Sequence, residues 1–318
     1  MFLRSRLPQL ADLAEAFPLI QKRLRIPGRH AKNLLEFWTA MMVAADHMVT
    51  VIEDAEQPER SRMVAAAIAF CVPDDVVAHA RGDAPPYPWK WMLDRWNQGH
   101  AVWVPRKEAR IAQMAGGVNV LVQCYGLDSV RYSGLQYVQI QETLSEHFIP
   151  SMARRRVRHA IEEVCGPAER DRHKAFGLDV WRDYKEFKAL PDWVACPEEQ
   201  KPYMMGSDYR QLAQDIAKTN TAAGRMALLP EPRFGFTDLE QNVLALALRG
   251  STDVEIAEYL GLTLVTIKKR WDRIFHKVEP FGALDIALSD DTTAGKQRRR
   301  VVLQMMKEHP EEFWAQAR

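Results

Sequence analysis

The sequence has few cysteines, no long apolar run, almost no net charge and no repeated or low-complexity tract, and each shortage removes a class of function. Its four cysteines, Cys71, Cys124, Cys165 and Cys196, lie far apart with no CxxC or Cys/His ligand spacing. That argues against a disulfide framework or a zinc site and leaves reduced thiols. No uninterrupted apolar run reaches the ~18 residues that a membrane-spanning helix needs, and charged residues punctuate the N-terminus where a signal peptide has its apolar core. A cytoplasmic protein without membrane contact is expected. Lys plus Arg (43) nearly cancels Asp plus Glu (42), so any attraction to nucleic acid must come from a local basic face. There is no P-loop, dinucleotide fingerprint or Ser/His/Asp set, and the nine histidines occur singly, so no catalytic residue, cofactor or metal is expected.

What is there is enough for two folded domains. The chain has 318 residues, 47% of them hydrophobic and 27% charged, close to the averages of soluble globular proteins. Two helical stretches are separated at Pro27-Gly28, the second running over Arg29–Asp46. Met48–Ile52 and Met63–Val72 read as an antiparallel hairpin around the turn-like Glu53–Arg60. Val118–Tyr125 is the clearest buried strand, and Leu178–Tyr184 is a weaker one. Between them a long helix is expected over Gln136–Cys165, broken or kinked at Pro150, with Arg154, Arg155, Arg156 and Arg158 on a solvated face. Residues 1–228 are expected to form a mixed α/β domain with a small sheet and flanking helices, serving as a sensor. Residues 229–235, opening on Leu229-Pro230-Glu231-Pro232, form a stiff linker.

From Phe236 onward the local signals agree. Thr237 with Glu240, and Thr252 with Glu255, are capping boxes that open two helices, Gly250 ends the first, and Gly261 makes the turn into a third helix capped by Thr263. On that third helix Ile267, Trp271, Ile274 and Val278 recur at spacings of four, three and four, leaving Lys268, Lys269, Arg270, Arg273 and Lys277 on the other face. Such a helix fits the major groove: Leu264, Val265, Lys268, Lys269 and Asp272 would meet base edges, and Thr266, Arg270 and Arg273 would meet phosphates.

Residues 236–278 resemble the LuxR-type helix-turn-helix, with Thr237, Glu240, Val243-Leu244, Gly250, Glu255-Ile256-Ala257, Leu260-Gly261, Thr266-Ile267-Lys268, Ile274 and Lys277-Val278 in its motif positions. The resemblance implies an all-α DNA-binding domain over 236–280, with Lys268, Lys269 and Asp272 as base readers. Arg270 stands where that family usually has histidine. The segment is also similar to the DNA-binding end of sigma factors, but no upstream promoter-melting segment accompanies it. A helical extension over 281–318 follows, with a short helix at Phe281–Leu288, a loop at Asp290–Lys296 and a helix at Gln297–His309 carrying Val301, Val302, Met305 and Met306 on one side.

Three kinds of sensor come into question for the N-terminal part. A receiver would need a crossover helix after Glu53-Asp54, and ten residues are too few. A small-molecule pocket of the acyl-homoserine-lactone type would draw on Trp89, Trp91, Trp96 and Trp103. The order of helices, hairpin, helix, strand and helix is also similar to the GNAT acyltransferases, which need a phosphate-cradling Gln/Arg-x-x-Gly-x-Gly/Ala between central strand and helix. The nearest match, Gln113–Val118, precedes a strand and ends in valine. The sequence therefore predicts a non-enzymatic, homodimeric, sequence-specific DNA-binding transcriptional regulator. Its partners would be double-stranded DNA and a small-molecule effector, and Thr263, Val265, Thr266, Lys268, Lys269, Arg270, Asp272, Arg273 and Lys277 would form its DNA face. The alternatives are a bifunctional protein with a GNAT-like acyl-coenzyme A-binding N-terminal domain and a sigma-factor-like regulator.

Overall fold

Short runs of Val, Ile and Ala alternate with amphipathic segments through the first two-thirds of the chain, and they pair into one mixed sheet with helices on both faces. The computed structural model describes residues 1–6, 8–24, 26–58, 61–128, 130–184, 201–281 and 291–315. Contacts divide the chain into one unit of Met1–Met152 with Arg156–Leu229 and a second of Ala153–Arg155 with Pro230–Arg318.

In the first unit the elements follow as β1 (Leu3–Arg6), α1 (Asp12–Leu24), α2 (Gly28–Ala44), β2 (His47–Asp54), β3 (Met63–Val72), α3 (Asp74–Arg81), α4 (Pro88–Asn97), α5 (Arg106–Met114) and β4 (Val118–Leu127). Then come α6 (Gly134–Ala153), β5 (Val157–Cys165), α7 (Pro167–Phe176), β6 (Asp179–Asp183), β7 (Pro202–Asp208), α8 (Tyr209–Leu212) and α9 (Ala222–Ala227). The mixed α/β architecture expected of the N-terminal part is found, and β2 and β3 form the expected antiparallel hairpin.

The seven strands lie in the order β1-β2-β3-β4-β5-β7-β6. Neighbours are antiparallel except β4 and β5, which are parallel and joined by the α6 crossover. One face of the sheet carries α1, α2 and α4, whose Phe17, Phe37, Trp38 and Trp89 pack with Phe70 and Leu121. On the other, Val164, Tyr203 and Met205 pack with Leu178 and Phe176.

The long helix expected over Gln136–Cys165 is corrected: α6 absorbs Pro150, and 157–165 is a central strand. Its charged residues suggested a solvated helix face, but pairing with β4 on one edge and β7 on the other overrides that local preference.

The described residues of the second unit form α10 (Asp238–Leu248), α11 (Asp253–Leu260), α12 (Leu264–Val278) and α13 (Asp291–Glu308), with short 3-10 turns at Glu279–Phe281 and Pro310–Phe313. Both capping boxes are formed, and Gly261 makes the left-handed turn at φ 64° between α11 and α12. Ile267, Trp271, Ile274 and Val278 are buried. The last helix starts at Asp291, earlier than expected, so the loop assigned to Asp290–Lys296 is largely helical. The short helix expected at Phe281–Leu288 lies, after Phe281, outside the described residues.

Candidate functional site

The site begins with one extra residue in β4. Ile68 of β3 pairs with Cys124 and Ala69 pairs with Val122, so Gln123 has no partner in the β3 ladder. A bulge of this kind bends its strand. The pairing of β4 with β5 runs from Val118 and Val157 to Val122 and Glu162 and stops there. Beyond it β4 continues on β3 alone, as far as Leu127, and β5 continues on β7 alone. The two parallel strands therefore part at their carboxyl ends, where ligands bind in open sheets with parallel strands. Gly126 lets α1 close on the bent end of β4: a Cβ there would lie 2.9 Å from Ile20 Cγ1.

Both helices that follow these carboxyl ends flank a cleft of about 790 Å³, including its mouth to solvent. From α6 it is lined at helical spacing by Gln141, Ser145, Ile149 and Met152, from α7 by Glu169, Arg172, His173 and Phe176, and from the sheet by Val122, Ala160 and Glu162. The walls are mainly apolar, with one ion pair deep inside, His173 Nε2 to Glu162 Oε2 at 3.2 Å. The other ring nitrogen, Nδ1, donates to the Glu169 carbonyl at 2.8 Å. Burial alone would lower the imidazole's pKa, but the charge and hydrogen bond of Glu162 prevail and raise it to about 9.

The loop entering α6 is held from below. Asp128 Oδ1 accepts from the amides of Val130 and Arg131 at 3.1 and 3.0 Å, Arg131 Nη2 donates to the Met63 carbonyl at 2.9 Å, and the Tyr132 hydroxyl donates to Asp54 Oδ2 at 2.9 Å. This leaves the first turn of α6, opened by Gly134 at φ 55°, exposed at the head of the helix. The first four N–H groups of any α-helix lack intrahelical acceptors and favour anions. Arg131-Tyr132-Ser133-Gly134-Leu135-Gln136 thus occupies the place between central strand and helix where a phosphate cradle belongs. It fits that pattern in its Arg and its Gly, departs from it at Gln136, and has its Arg turned onto the hairpin. The stretch proposed from sequence, Gln113–Val118, is instead the α5–β4 turn. A Cβ on its Gly117 would meet the Arg156 carbonyl at 2.8 Å.

On the opposite face, one residue past the last β4–β5 pair, stands Glu163. Its Oε2 accepts from the backbone N–H of Tyr87 at 2.6 Å, and no cationic side chain among the described residues pairs with it. Burial pushes its carboxyl up to about 8, against the pull of that N–H. Tyr87 is the one non-glycine residue with positive φ, 70°, among those described. Burial and the charge of Glu163 raise the pKa of Tyr184, whose hydroxyl donates to the Ala84 carbonyl at 3.0 Å. Glu162, Glu163 and His173 went unmarked in the sequence.

The sequence candidates fall elsewhere. Trp89 and Trp91 are core residues, while Trp96 and Trp103 are half-buried against Phe37 and line a separate hollow with His100 and Glu108. The four do not converge on one pocket. In the second unit Thr263 caps α12, and its hydroxyl meets that of Thr266 at 2.9 Å. Val265, Lys268, Lys269, Asp272 and Arg273 are exposed, and Arg270 is half-buried. Lys277 is turned inward onto Glu240 and the Gly235 carbonyl, at 2.7 and 2.6 Å, and ties α12 to α10. No helix among the described residues is long and apolar enough to cross a membrane.

No family model matches the chain, and no curated protein matches it. The solved C-terminal condensation domain of Ebony, in complex with β-alanyl-dopamine, aligns with 65% of this chain and 99% of its own at 10% identity and a TM-score of 0.42. Naa20 of Chaetomium thermophilum, in complex with a bisubstrate analogue, aligns with 65% of this chain and 86% of its own at 10% identity and a TM-score of 0.30. At such scores neither protein's chemistry carries over to this chain. One is nonetheless a condensation domain and the other holds a mimic of two joined substrates. On that finding the expectation of a non-enzymatic transcriptional regulator partnered by double-stranded DNA is corrected, and its sigma-factor-like variant falls with it.

Proposed function

We propose that the first unit is a GNAT-like acyltransferase unit that takes an acyl-coenzyme A thioester as donor and passes the acyl group to a nucleophile. The observation that supports this reading most is the parting of β4 and β5 beyond Val122 and Glu162. The separation frees main-chain groups of Gln123–Leu127 on the β5 side, where an extended amide-bearing arm such as pantetheine can add as a strand does. The exposed first turn of α6 receives the donor's phosphates. The apolar walls from Val122, Ile149, Met152 and Phe176 exclude water from the thioester.

Glu163, on the other face of the sheet and one residue past the last β4–β5 pair, then serves as general base across the gap between the parted strands. Its carboxylate takes the proton of the attacking amine or hydroxyl as the new bond to the acyl carbon forms. The carbon–sulfur bond breaks, and the proton returns to the leaving thiolate through solvent. A base titrating near 8 is well matched to neutral conditions. In the second unit, the two capping boxes and the Gly261 turn support a helix-turn-helix of the type its sequence resembles.

Transfer of a radiolabelled acetyl group from acetyl-coenzyme A to a panel of amines, with release of free thiol, tests this with the full chain. Release above the solvent rate is expected. If neither acetyl-coenzyme A nor free coenzyme A binds, the reading is wrong.

A further inference from the structure

Helices α6 and α7 leave the carboxyl ends of β4 and β5 and run back toward the amino ends. For α6 this follows from its crossover between two parallel strands. For α7 it follows because β7 is antiparallel to both β5 and β6, which makes those two parallel. The residues lining the cleft therefore lie in order of depth below the parted strand ends. From α6 the order is Gln141, Ser145, Ile149 and Met152, and from α7 it is Glu169, Arg172, His173 and Phe176. Leu178, just past α7, and Ala160, two residues before Glu162 on β5, line the same lower end.

That order sorts the walls by polarity. At the mouth the two helices present an amide, a hydroxyl and the ion pair of Arg172 with Glu169 at 3.1 Å. The pair of His173 with Glu162 stands at the level of the last β4–β5 pair. Beyond it Ile149, Met152, Ala160, Phe176 and Leu178 bring only hydrocarbon and one thioether, and Met152, Ala160 and Leu178 are buried. From Ser145 to Met152 the helix advances about 10 Å. A water molecule at that end would find no side-chain hydrogen-bond partner, whereas an ordered water needs several. A hydrocarbon would meet apolar contacts from both helices and from the strand.

We propose that the lower end of the cleft holds the acyl chain of the donor, and that the preferred donor carries a medium-length alkyl chain, hexanoyl or octanoyl, in place of acetyl. The inference rests on the acyl-transfer reading above, which puts the thioester at the parting of β4 and β5. An acetyl group ends at that level and leaves the apolar end unfilled. A longer chain continues past Glu162 between Ile149 and Phe176, while the polar mouth faces the amide-bearing arm of the coenzyme.

The test is calorimetric titration of the full chain with acetyl-, butyryl-, hexanoyl- and octanoyl-coenzyme A. It is repeated for Ile149→Trp, which puts an indole into the lower end, and for Glu146→Trp, which puts one on the exposed face of α6. Each methylene buried should tighten binding by about fourfold, so wild type and E146W should bind hexanoyl-coenzyme A at least about tenfold more tightly than acetyl-coenzyme A. In I149W the two affinities should become nearly equal. Equal affinity for all four donors in wild type would overturn the chain site and leave the acyl-transfer reading standing, whereas binding of none would overturn both. A chain-length preference that I149W retains would also overturn the site. Should I149W bind no donor, Phe176→Ala decides by widening the same end: its gain from hexanoyl to octanoyl must exceed that of wild type, and an unchanged gain overturns the site.

Discussion

The backbone N–H of Tyr87, held at φ 70°, donates to Glu163 Oε2 at 2.6 Å. A left-handed non-glycine residue costs of order 1–3 kcal/mol and persists where its surroundings require it. Here it holds the carboxylate of Glu163, the residue after the last β4–β5 pair. Glu163→Gln is expected to lower the turnover rate of acyl transfer by about 10²–10⁴ while leaving the affinity for acyl-coenzyme A nearly unchanged. In wild type the rate should rise with pH to a plateau above about 8, and the variant should lose that limb. A variant with the same limb assigns the proton transfer to another group.

The ion pair of His173 and Glu162 governs stability in a different pH range. The imidazole titrates at about 9 in the folded chain, above its ordinary 6.5. Its contribution is therefore complete below about pH 6.5 and is lost as pH rises through 9, amounting to roughly 2–3 kcal/mol. Urea unfolding followed from pH 6 to 9.5 in the E163Q background, which removes the raised carboxyl of Glu163, should show this decline. Adding His173→Gln should flatten it. A slope that persists without His173 would place its source elsewhere.

Blocking the cleft separates binding from folding. Ser145 lines it, whereas Glu146, the next residue of α6, is exposed. Ser145→Trp should abolish coenzyme A binding in calorimetry with the thermal transition retained, and Glu146→Trp should bind as wild type does. Equal binding by both would move the donor site away from α6.

In the second unit Thr237 and Thr252 each accept from the backbone N–H three residues on, at 3.3 Å, and receive a glutamate in return. Thr237→Ala and Thr252→Ala should each cost about 0.5–2 kcal/mol in denaturant unfolding. Losses near zero would mean that helix packing alone fixes α10 and α11.

The parts of this fold that can be read from sequence are those whose signals are local. Met48–Ile52 and Met63–Val72 are apolar runs around a polar turn, and the threonine and glutamate pairs of α10 and α11 lie three residues apart. Strand β5 is different. Val157–Cys165 carries arginine, histidine and two glutamates, and its place in the sheet comes from β4 and β7, far away in the chain. Glu162 and Glu163 are adjacent in sequence, yet a strand sends them to opposite faces, one to His173 and one to Tyr87. The loop before α6 is not legible by motif, because Gln136 breaks the expected pattern. Its position after a buried strand, with Gly134 opening a helix, is the signal that marks it. The basic face of α12 was legible as a surface, and the inward turn of Lys277 onto a buried glutamate was not.

The central claim is that the parted ends of β4 and β5 hold an acyl-coenzyme A. The most direct measurement is calorimetric titration of the full chain with coenzyme A and acetyl-coenzyme A, with Ser145→Trp alongside. Saturable one-to-one binding of both ligands by wild type, lost in the variant, is the predicted result. No heat from either ligand up to about 1 mM, or binding that the variant retains, would contradict it.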